Sequence, residues 1–335
     1  MKLQIACKRH ISFVSLFIIF FFLMRFTQPT TTRDFIVMVS IYTLTLLIFY
    51  VVFPNSESKN KKENKRELKK ELKKEKDKVF SLKLLTLNAR GLCDMSKNTW
   101  LGFEIIRGCD LVGISETKIS EKHIKTDKIN PKSIYERYFG FNTRWNYSTS
   151  SSRSSGTAFI YNKTLDQYFE SIEKDNDGRA IMIRFKINNT YLRIIQLYCK
   201  TNQRNIKSCT KVDKLKDLIL EWVNKGIKEN ERIIVMGDQN AALNPSQDRK
   251  SKSKKKISTP ESILIKKLVN EIKLIDIFGS QDNDKIEMTY RNISRLDYIL
   301  LDEKLTSNLS DKRIIKSEEL KLYTDHAALY LELSF

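Results

Sequence analysis

Short apolar runs with the composition of β-strands recur after residue 79. They are rich in Ile, Leu, Val and aromatic residues, several alternate apolar with polar positions, and polar turns separate them. This pattern is typical of strands that are buried on one or both faces. The predicted strands cover residues 82–87, 111–115, 157–162, 180–187, 191–198, 232–236, 296–301 and 327–334.

Two segments between these runs have helical periodicity instead. In the first, apolar residues recur three and four positions apart, at Val212, Leu215, Ile219, Trp222 and Val223. The second is predicted to begin after Thr259 as N-cap and Pro260 in the first turn, with one apolar face formed by Ile263, Leu264, Leu268 and Ile272. Strands mixed with helices and long polar loops predict a layered α/β or α+β domain over residues 79–335.

The first 58 residues have a different pattern, which predicts a membrane anchor. Residues 35–53 form 19 positions without a charge, which suffice to cross a hydrocarbon core of about 30 Å at about 1.5 Å per residue. A shorter apolar run at 11–24 follows three basic residues and also fits a signal peptide. No small-residue cleavage pattern follows it, so we favour a second short span and a helical hairpin.

A basic linker at 59–78 follows the second span, with eleven basic and five acidic residues. The positive-inside rule places such a block on the cytoplasmic side, so we expect a membrane protein whose catalytic domain faces the cytosol or nucleus. Its glutamates recur every four positions between lysines, which favours a solvated helix. The linker is either a spacer or a contact for anionic lipid or nucleic acid.

The net charge of +20 is spread over the whole chain. Residues 79–335 keep +11 of it, because 1–58 carry +3 and 59–78 carry +6. A basic globular domain favours polyanionic partners. The five cysteines are odd in number and lack C-x-x-C spacing, which argues against a disulfide framework or a zinc ribbon.

Unusual polar residues stand at the ends of several predicted strands. A lone one would be read as an ordinary turn residue. Polar groups at the mouths of neighbouring buried strands can instead converge on one cleft, where layered α/β proteins often bind ligands. The residues in question are Asn88, Glu116, Asp238, Asn240, Asp297, Asp325 and His326.

These residues belong to seven short blocks that follow one another in a fixed order. The blocks are Leu87-Asn88-Ala89-Arg90-Gly91-Leu92, Ser115-Glu116-Thr117-Lys118, Gly156-Thr157-Ala158-Phe159-Ile160, Gln196-Leu197-Tyr198, Gly237-Asp238-Gln239-Asn240, Ser294-Arg295-Leu296-Asp297-Tyr298 and Thr324-Asp325-His326. As an ordered series they resemble the endonuclease/exonuclease/phosphatase superfamily, and within it the apurinic endonuclease and LINE-type retroelement endonuclease branch. The resemblance implies a four-layer α/β sandwich, two β-sheets face to face with helices outside, and a divalent-metal phosphodiesterase.

The resemblance also implies a metal site. Hard oxygen ligands suit Mg²⁺, with Mn²⁺ as an alternative, and such an ion stabilises the charge that develops during phosphodiester hydrolysis. At the matching positions the metal ligands would be Glu116, Asp325 and Asn88.

The other matching residues would act on the water and the phosphate. Asp238 would orient or deprotonate the attacking water, and Asn240 would fix that water or a phosphate oxygen. His326 would contact the scissile phosphate, with Asp297 holding its imidazole and favouring the protonated form. Tyr198 matches the family tyrosine that faces the phosphate.

Two departures from the family pattern bear on the branch. Arg90 stands where apurinic endonucleases carry an acid that assists the metal, which predicts a leaner metal shell or weak abasic-site cleavage. The secreted two-histidine deoxyribonucleases need a central histidine where this chain has Tyr198, and no histidine lies between His123 and His326. That favours the apurinic and retroelement branch.

We therefore expect a membrane-anchored, Mg²⁺-dependent endonuclease on DNA or RNA. The lysine-rich stretch 250–256 after the Asp238 block supports a nucleic-acid partner. The alternative is a phosphatase or phospholipase-type phosphodiesterase acting on membrane lipid headgroups, which the anchor would favour. Against it, the Trp and Cys-Asp-Arg forms of the last blocks found in inositol phosphatases are absent. A catalytically silent binding module is a third possibility that the complete polar set disfavours.

Overall fold

A computed structural model of the chain describes residues 80–122, 130–147, 155–199, 206–250, 260–279 and 286–335. Within these ranges, twelve strands form two six-stranded sheets. The strands are β1 (Ser81–Asn88), β2 (Leu111–Ser115), β3 (Phe141–Asn146), β4 (Thr157–Asn162), β5 (Phe169–Lys174), β6 (Ala180–Ile187), β7 (Thr190–Tyr198), β8 (Arg232–Asp238), β9 (Ile275–Asp276), β10 (Asp297–Leu301), β11 (Leu309–Ile315) and β12 (Ala328–Ser334).

Both sheets are mixed. The first has the order β11-β12-β1-β2-β4-β3 and the second the order β5-β6-β7-β8-β10-β9. In each sheet one neighbouring pair is parallel, β1 with β2 and β7 with β8, and the other pairs are antiparallel. The parallel pairs bring the carboxyl ends of their two strands to the same edge of the sheet.

Helices cover the outer faces of the sheets. They are α1 (Met95–Glu104), α2 (Pro131–Ser133), α3 (Ile206–Lys228), α4 (Pro260–Lys266) and α5 (Glu318–Tyr323), with π-helical turns at Ile134–Tyr138 and Lys267–Glu271 that continue α2 and α4. Short 3-10 helices lie at Ile106–Gly108, Lys163–Tyr168 and Glu303–Asn308.

Three buried apolar clusters separate the layers. The first joins the facing sides of the two sheets, where Phe159 of β4 and Ile194 of β7 belong to one cluster. The second packs Leu101 of α1 on the outside of the first sheet, and the third packs Trp222 of α3 on the outside of the second. The order is helices, sheet, sheet, helices, so the predicted four-layer α/β sandwich is confirmed for this part of the chain.

The central strands are buried on both faces. In β7, Ile194 faces the core between the sheets while its neighbour Ile195 faces α3, and Ile234 and Val235 divide in the same way in β8. Successive side chains of a strand point to opposite faces. A strand with helices on one side and a sheet on the other is therefore apolar at most positions, as these two are, although β7 also buries Arg193 and Gln196.

The predicted anchor lies outside the described ranges, as do the linker 59–78, residue Thr259 and most of the lysine-rich stretch 250–256. None of the helices in the described ranges is long and apolar enough to cross a membrane. The spans at 11–24 and 35–53 remain predictions.

Candidate active site

The predicted site residues gather at one end of the sandwich, where the two sheets meet. Asn88 is the last residue of β1 and Asp238 the last residue of β8. Asp297 begins β10 directly across from Asp238 in the antiparallel ladder, and Tyr198 ends β7 across from Asp238 in the parallel one. The remaining members follow or precede strands of the same mouth: Glu116 after β2, Asn240 after β8, and Asp325 and His326 before β12.

Asn88 connects the two sheets at this mouth. Its side-chain nitrogen donates to Glu116 Oε2 at 3.1 Å and to Asp238 Oδ2 at 2.8 Å. Its side-chain oxygen accepts from the backbone N–H of Arg90 at 2.9 Å, and the residue is buried. Because the side-chain oxygen accepts from Arg90 and the side-chain nitrogen donates to two carboxylates, Asn88 positions Glu116 and Asp238 in this structure. Its role as a metal ligand stays a prediction.

Asp238 is a buried carboxylate whose two oxygens are both held by hydrogen bonds. Its Oδ1 accepts from the backbone N–H of Asn240 at 2.8 Å, and Asn240 Nδ2 in turn donates to the carbonyl of Cys199 at 2.6 Å. Burial and the neighbouring Asp297 carboxylate raise the pKa of Asp238, and His326 opposes that rise. A carboxylate with a raised pKa is better matched to accept a proton near neutral pH.

His326 and Asp297 form a buried pair. His326 Nδ1 lies 2.9 Å from Asp297 Oδ2, and its Nε2 lies 3.9 Å from Asp238 Oδ2. Burial lowers the pKa of His326, but Asp297 and the other carboxylates outweigh it and raise that pKa to about 9. At neutral pH the imidazole is therefore protonated, with Nδ1 held by Asp297 and Nε2 left to face the cleft.

Glu116 follows β2 and accepts three hydrogen bonds. Besides that from Asn88, it receives one from Lys118 Nζ at 2.9 Å and one from the Tyr198 hydroxyl. Burial, with added effects of Glu116 and Asp238, raises the pKa of Tyr198 well above its ordinary value. The phenol thus stays protonated and acts as a donor at this site.

Asp325 is held in place by two arginines and by the hydrogen bond that the preceding residue makes to β1. Arg291 donates to its Oδ2 at 2.9 Å, and an Arg90 nitrogen lies 3.5 Å from the same oxygen. Partial burial raises the pKa of Asp325, but the bond from Arg291 and the positive charges nearby lower it overall. The preceding residue, Thr324, donates to the backbone carbonyl of Asn88 at 2.7 Å, which fixes this turn beside the end of β1.

Two donor sets among the described residues could hold a cation. Asp238, Asp297 and His326 offer ligand atoms that all lie within 4.8 Å of one another, but the imidazole is already paired with Asp297. Glu116 and Asp325 offer only carboxylate oxygens, the ligand type that Mg²⁺ and Mn²⁺ prefer. The chemistry of this second set fits the predicted ion.

The backbone is unusual at the ends of three strands. Arg90, Glu116 and Asn240 follow β1, β2 and β8, and all three have left-handed φ angles, of 52°, 53° and 48°. Residues other than glycine rarely adopt such angles, and those that do concentrate at functional sites. Each of these residues stands just beyond its strand, directly in the case of Glu116 and two positions after Asn88 or Asp238 in the other two.

Some residues of the site were not predicted from the sequence. Arg179, which is 9% exposed, stacks its guanidinium 4.8 Å from the centre of the Tyr198 ring, and its NH1 has no hydrogen-bond partner within the described ranges. Lys97 on α1 binds backbone carbonyls beside the site. Sequence patterns could not have identified either residue. Arg179 contacts an aromatic ring and Lys97 contacts backbone carbonyls, and such contacts require no recognisable motif around the residue that makes them.

Comparisons of folds agree with this architecture. The chain is similar to the 3' phosphatase NExo from Neisseria bound to a product DNA hairpin, with 17% identity, a TM-score of 0.60 and coverage of 76% of this chain and 100% of that one. It is similar to the same degree, 17% identity and a TM-score of 0.60, to the AP endonuclease LMAP from Leishmania major, covering 76% of this chain and 88% of that one. The 3'-5' exonuclease NExo from Neisseria meningitidis gives 16% identity and a TM-score of 0.57, with 76% and 100% coverage.

At these identities the likeness shows the fold alone. No curated protein matches the chain in sequence. The family evidence comes from residues 85–326, which match the model of the Endonuclease/Exonuclease/phosphatase family and make up well over half of the 335 residues. The matched range begins within β1 and ends at His326, so it includes every predicted site residue. The chain therefore belongs to the endonuclease/exonuclease/phosphatase family.

Proposed function

We propose that this chain is a Mg²⁺-dependent endonuclease that hydrolyses phosphodiester bonds of DNA or RNA. Its family already makes it a hydrolase of the phosphodiesterase type. The observation that carries the proposal is the double hydrogen bond of Asn88 to Glu116 and Asp238, with His326 Nε2 3.9 Å from Asp238. An oxygen ligand, a proton acceptor and a cationic donor thus surround one small space.

In the proposed mechanism, Glu116 and Asp325 hold the metal ion and Asn88 keeps Glu116 in orientation. When bound, the ion supplies positive charge to the phosphate oxygens and to the departing oxygen. Arg291 lowers the pKa of the Asp325 carboxyl through its hydrogen bond, and Lys118 Nζ lies 2.9 Å from Glu116 Oε1.

The remaining residues act on the water and the phosphate. Asp238 accepts a proton from the water while the water oxygen forms its bond to phosphorus, and Asn240 fixes the Asp238 carboxylate through its backbone N–H. The bond from phosphorus to the leaving oxygen breaks, and its electron pair stays on that oxygen. His326 donates a hydrogen bond to a non-bridging oxygen, where negative charge grows, and Tyr198 faces the phosphate while its hydroxyl donates to Glu116.

Several features support nucleic acid as the substrate. Residues 79–335 carry a charge of +11, and the half-exposed guanidinium groups of Arg90 and Arg291 stand beside the site, where they can reach a second phosphate. One similar structure holds a product DNA hairpin, and another is an AP endonuclease. We found no feature of the described site that favours a lipid headgroup, so that alternative is left to the same experiment.

Membrane attachment is a further part of the proposal. It is supported by the uncharged run at 35–53, by the shorter run at 11–24 and by the basic linker 59–78. In this arrangement the domain faces the cytosol or nucleus, and the linker contacts anionic lipid at the membrane surface.

The proposal is tested with the full chain in detergent, using supercoiled plasmid and single-stranded RNA with Mg²⁺, Mn²⁺ or EDTA. Phosphoinositide and sphingomyelin vesicles are assayed in parallel. We expect cleavage of nucleic acid that EDTA abolishes. Glu116→Gln and His326→Ala should each lower kcat by at least about 100-fold, the scale of a lost acid–base or charge-stabilising group, with little change in thermal unfolding.

The matched control is Glu170→Gln, which makes the same change at an exposed carboxylate on β5, and its kcat should equal that of the wild type. Release of phosphate from lipid without any cleavage of nucleic acid would overturn the substrate assignment. Unfolding of the domain by either site variant would show that these residues have a structural role instead.

A further inference from the structure

We infer that Lys97 is a positioning residue that fixes the end of β1 against the turn carrying Asp325 and His326. The inference rests on the proposed function, because it concerns the geometry of the same site. Lys97 lies on α1, and its side chain is almost wholly covered, with 7% exposure. It touches none of the groups assigned to the metal, the water or the phosphate.

The lysine ammonium joins two backbone segments that are distant in sequence. Its Nζ donates to the carbonyl of Ala89 and, at 2.7 Å, to the carbonyl of Tyr323, 226 positions away from Lys97. Ala89 directly follows Asn88, and Tyr323 stands two residues before Asp325. Lys97 therefore joins the two segments that supply Asn88 and the Asp325–His326 pair, in addition to the direct bond from Thr324 to the Asn88 carbonyl.

A group with several donors suits this contact because its partners are two carbonyl oxygens. Such oxygens repel one another at close range, and only a group with several donors can hold both. Among the described residues Lys97 takes part in no ion pair, so the carbonyls are its main compensation. Burial lowers the pKa of Lys97 to about 8, which leaves the ammonium charged at neutral pH.

Simple packing does not explain the lysine. Trp100, one turn further along α1, already packs its ring on Tyr323 at a centroid distance of 5.0 Å. An apolar residue at 97 would have kept that contact without burying a charge, which proteins rarely do without a paired or hydrogen-bonded partner. What Lys97 adds is a pair of hydrogen bonds that holds the carbonyl groups of Ala89 and Tyr323 close to one ammonium.

The neighbouring residue offers a matched control. Asn98 lies on the same helix and is fully buried, and its side chain also binds a carbonyl of the loop after β1, that of Leu92 at 2.8 Å. Its other partner is the hydroxyl of Tyr135. Asn98 thus ties α1 to the same loop through Leu92, and its side-chain bonds go to Leu92 and Tyr135 and not to the turn at 323–326.

The test compares Lys97→Met and Asn98→Ala in the full chain. Three quantities are measured: thermal unfolding, kcat and KM for plasmid cleavage with Mg²⁺, and amide hydrogen exchange of the segment 320–327. Lys97→Met should lower kcat about 10- to 100-fold, the cost of a misplaced catalytic group, with KM changed less than about twofold, and it should speed exchange in the segment. Asn98→Ala should lose stability but keep kcat within about twofold.

Equal losses of kcat in the two variants, or faster exchange in Lys97→Met with normal kcat, would overturn the inference. If the wild type cleaves no nucleic acid, the proposed function fails, while the exchange comparison still decides whether Lys97 holds the turn. Should Lys97→Met fail to fold, Lys97→Gln, whose side chain is uncharged and too short to span both carbonyls, must give the same division between kcat and KM for the inference to stand.

Discussion

At the residue scale, the site is defined by how its buried charges are compensated. Asp297 is paired with His326, Glu116 with Lys118, and Asp325 with Arg291. Asp238 has no such partner at contact distance, since the nearest cationic atom recorded for it, His326 Nε2, is 3.9 Å away. Asp238 has the least compensation and a raised pKa, and it is placed to accept a proton.

The Asp297–His326 pair gives a prediction at this scale. In Asp297→Asn, the pKa of His326 should fall from about 9 in the wild type by about one to three pH units, because the adjacent negative charge is removed while burial remains. Histidine-selective NMR titration of the full chain measures this pKa, and the signal that His326→Gln abolishes identifies the residue. An unchanged pKa in Asp297→Asn would show that other groups hold the proton.

The same pair predicts how stability depends on pH. Since the folded pKa of His326 is above the ordinary value of about 6.5, its stabilisation is fully present below about pH 6.5 and is lost as the pH rises through about 9. The difference in unfolding free energy between wild type and Asp297→Asn should therefore be larger at about pH 6 than above pH 9. Urea titrations at the two pH values measure it.

At the element scale, whether a strand was predicted from the sequence depends on its place in the sheet. The eight predicted strands are the eight inner strands, and the four that were not predicted, β3, β5, β9 and β11, are the four sheet edges. Edge strands have one unpaired side and commonly carry charges that prevent further pairing. Residues 169–174 and 309–315 show this with Glu173, Lys174, Lys312 and Arg313, so their apolar pattern is too weak to recognise.

The close approach of the two sheets gives a prediction for β2 and β7. Gln196 in β7 is fully buried and bridges the sheets, accepting from Thr86 Oγ1 at 3.0 Å and donating to Ser115 Oγ at 2.7 Å. It passes over Gly113 so closely that a Cβ there would lie 2.0 Å from Gln196 Oε1. Gly113→Ala should therefore lower the unfolding free energy by about 1–3 kcal/mol, the usual cost of overpacking a core.

Chemical denaturation of the full chain measures this loss. The matched control is Gly108→Ala, because a Cβ at Gly108 meets nothing within 4 Å, and its unfolding free energy should stay within about 0.5 kcal/mol of the wild type. Equal stability of the two variants would mean that the sheets can move apart at Gln196 without cost.

At the scale of the whole molecule, the sandwich brings residues 88 and 326 into one site. The first sheet supplies Asn88, Glu116 and the turn before β12, and the second sheet supplies Tyr198, Asp238 and Asp297. Neither sheet carries a complete set. The hydrogen bonds of Asn88 to Asp238 and of His326 to Asp297 link the two halves directly, so the proposed activity depends on the packing of the sheets.

The membrane anchor gives a prediction at this scale. The full chain expressed in eukaryotic cells should remain in the membrane pellet after extraction with alkaline carbonate, and deletion of residues 1–58 should release it. A glycosylation reporter at the C-terminus should stay unmodified if the domain faces the cytosol or nucleus, because the basic linker 59–78 is retained on that side. Release of the full chain by carbonate, or modification of the reporter, would refute the anchor or its orientation.

The sequence by itself predicted the inner strands, and its resemblance to a known family predicted the layer order and eight candidate site residues. Buried strands need apolar side chains on both faces, and the chemistry of a phosphodiesterase needs particular polar groups at their ends, so both leave local signals. Only the tertiary structure decided the edges of the sheets, the pairing of Glu116 with Lys118 and of Asp325 with Arg291, and the contacts of Lys97, Arg179 and Gln196. Those depend on distances between segments up to 226 residues apart, and no local pattern encodes a distance of that kind.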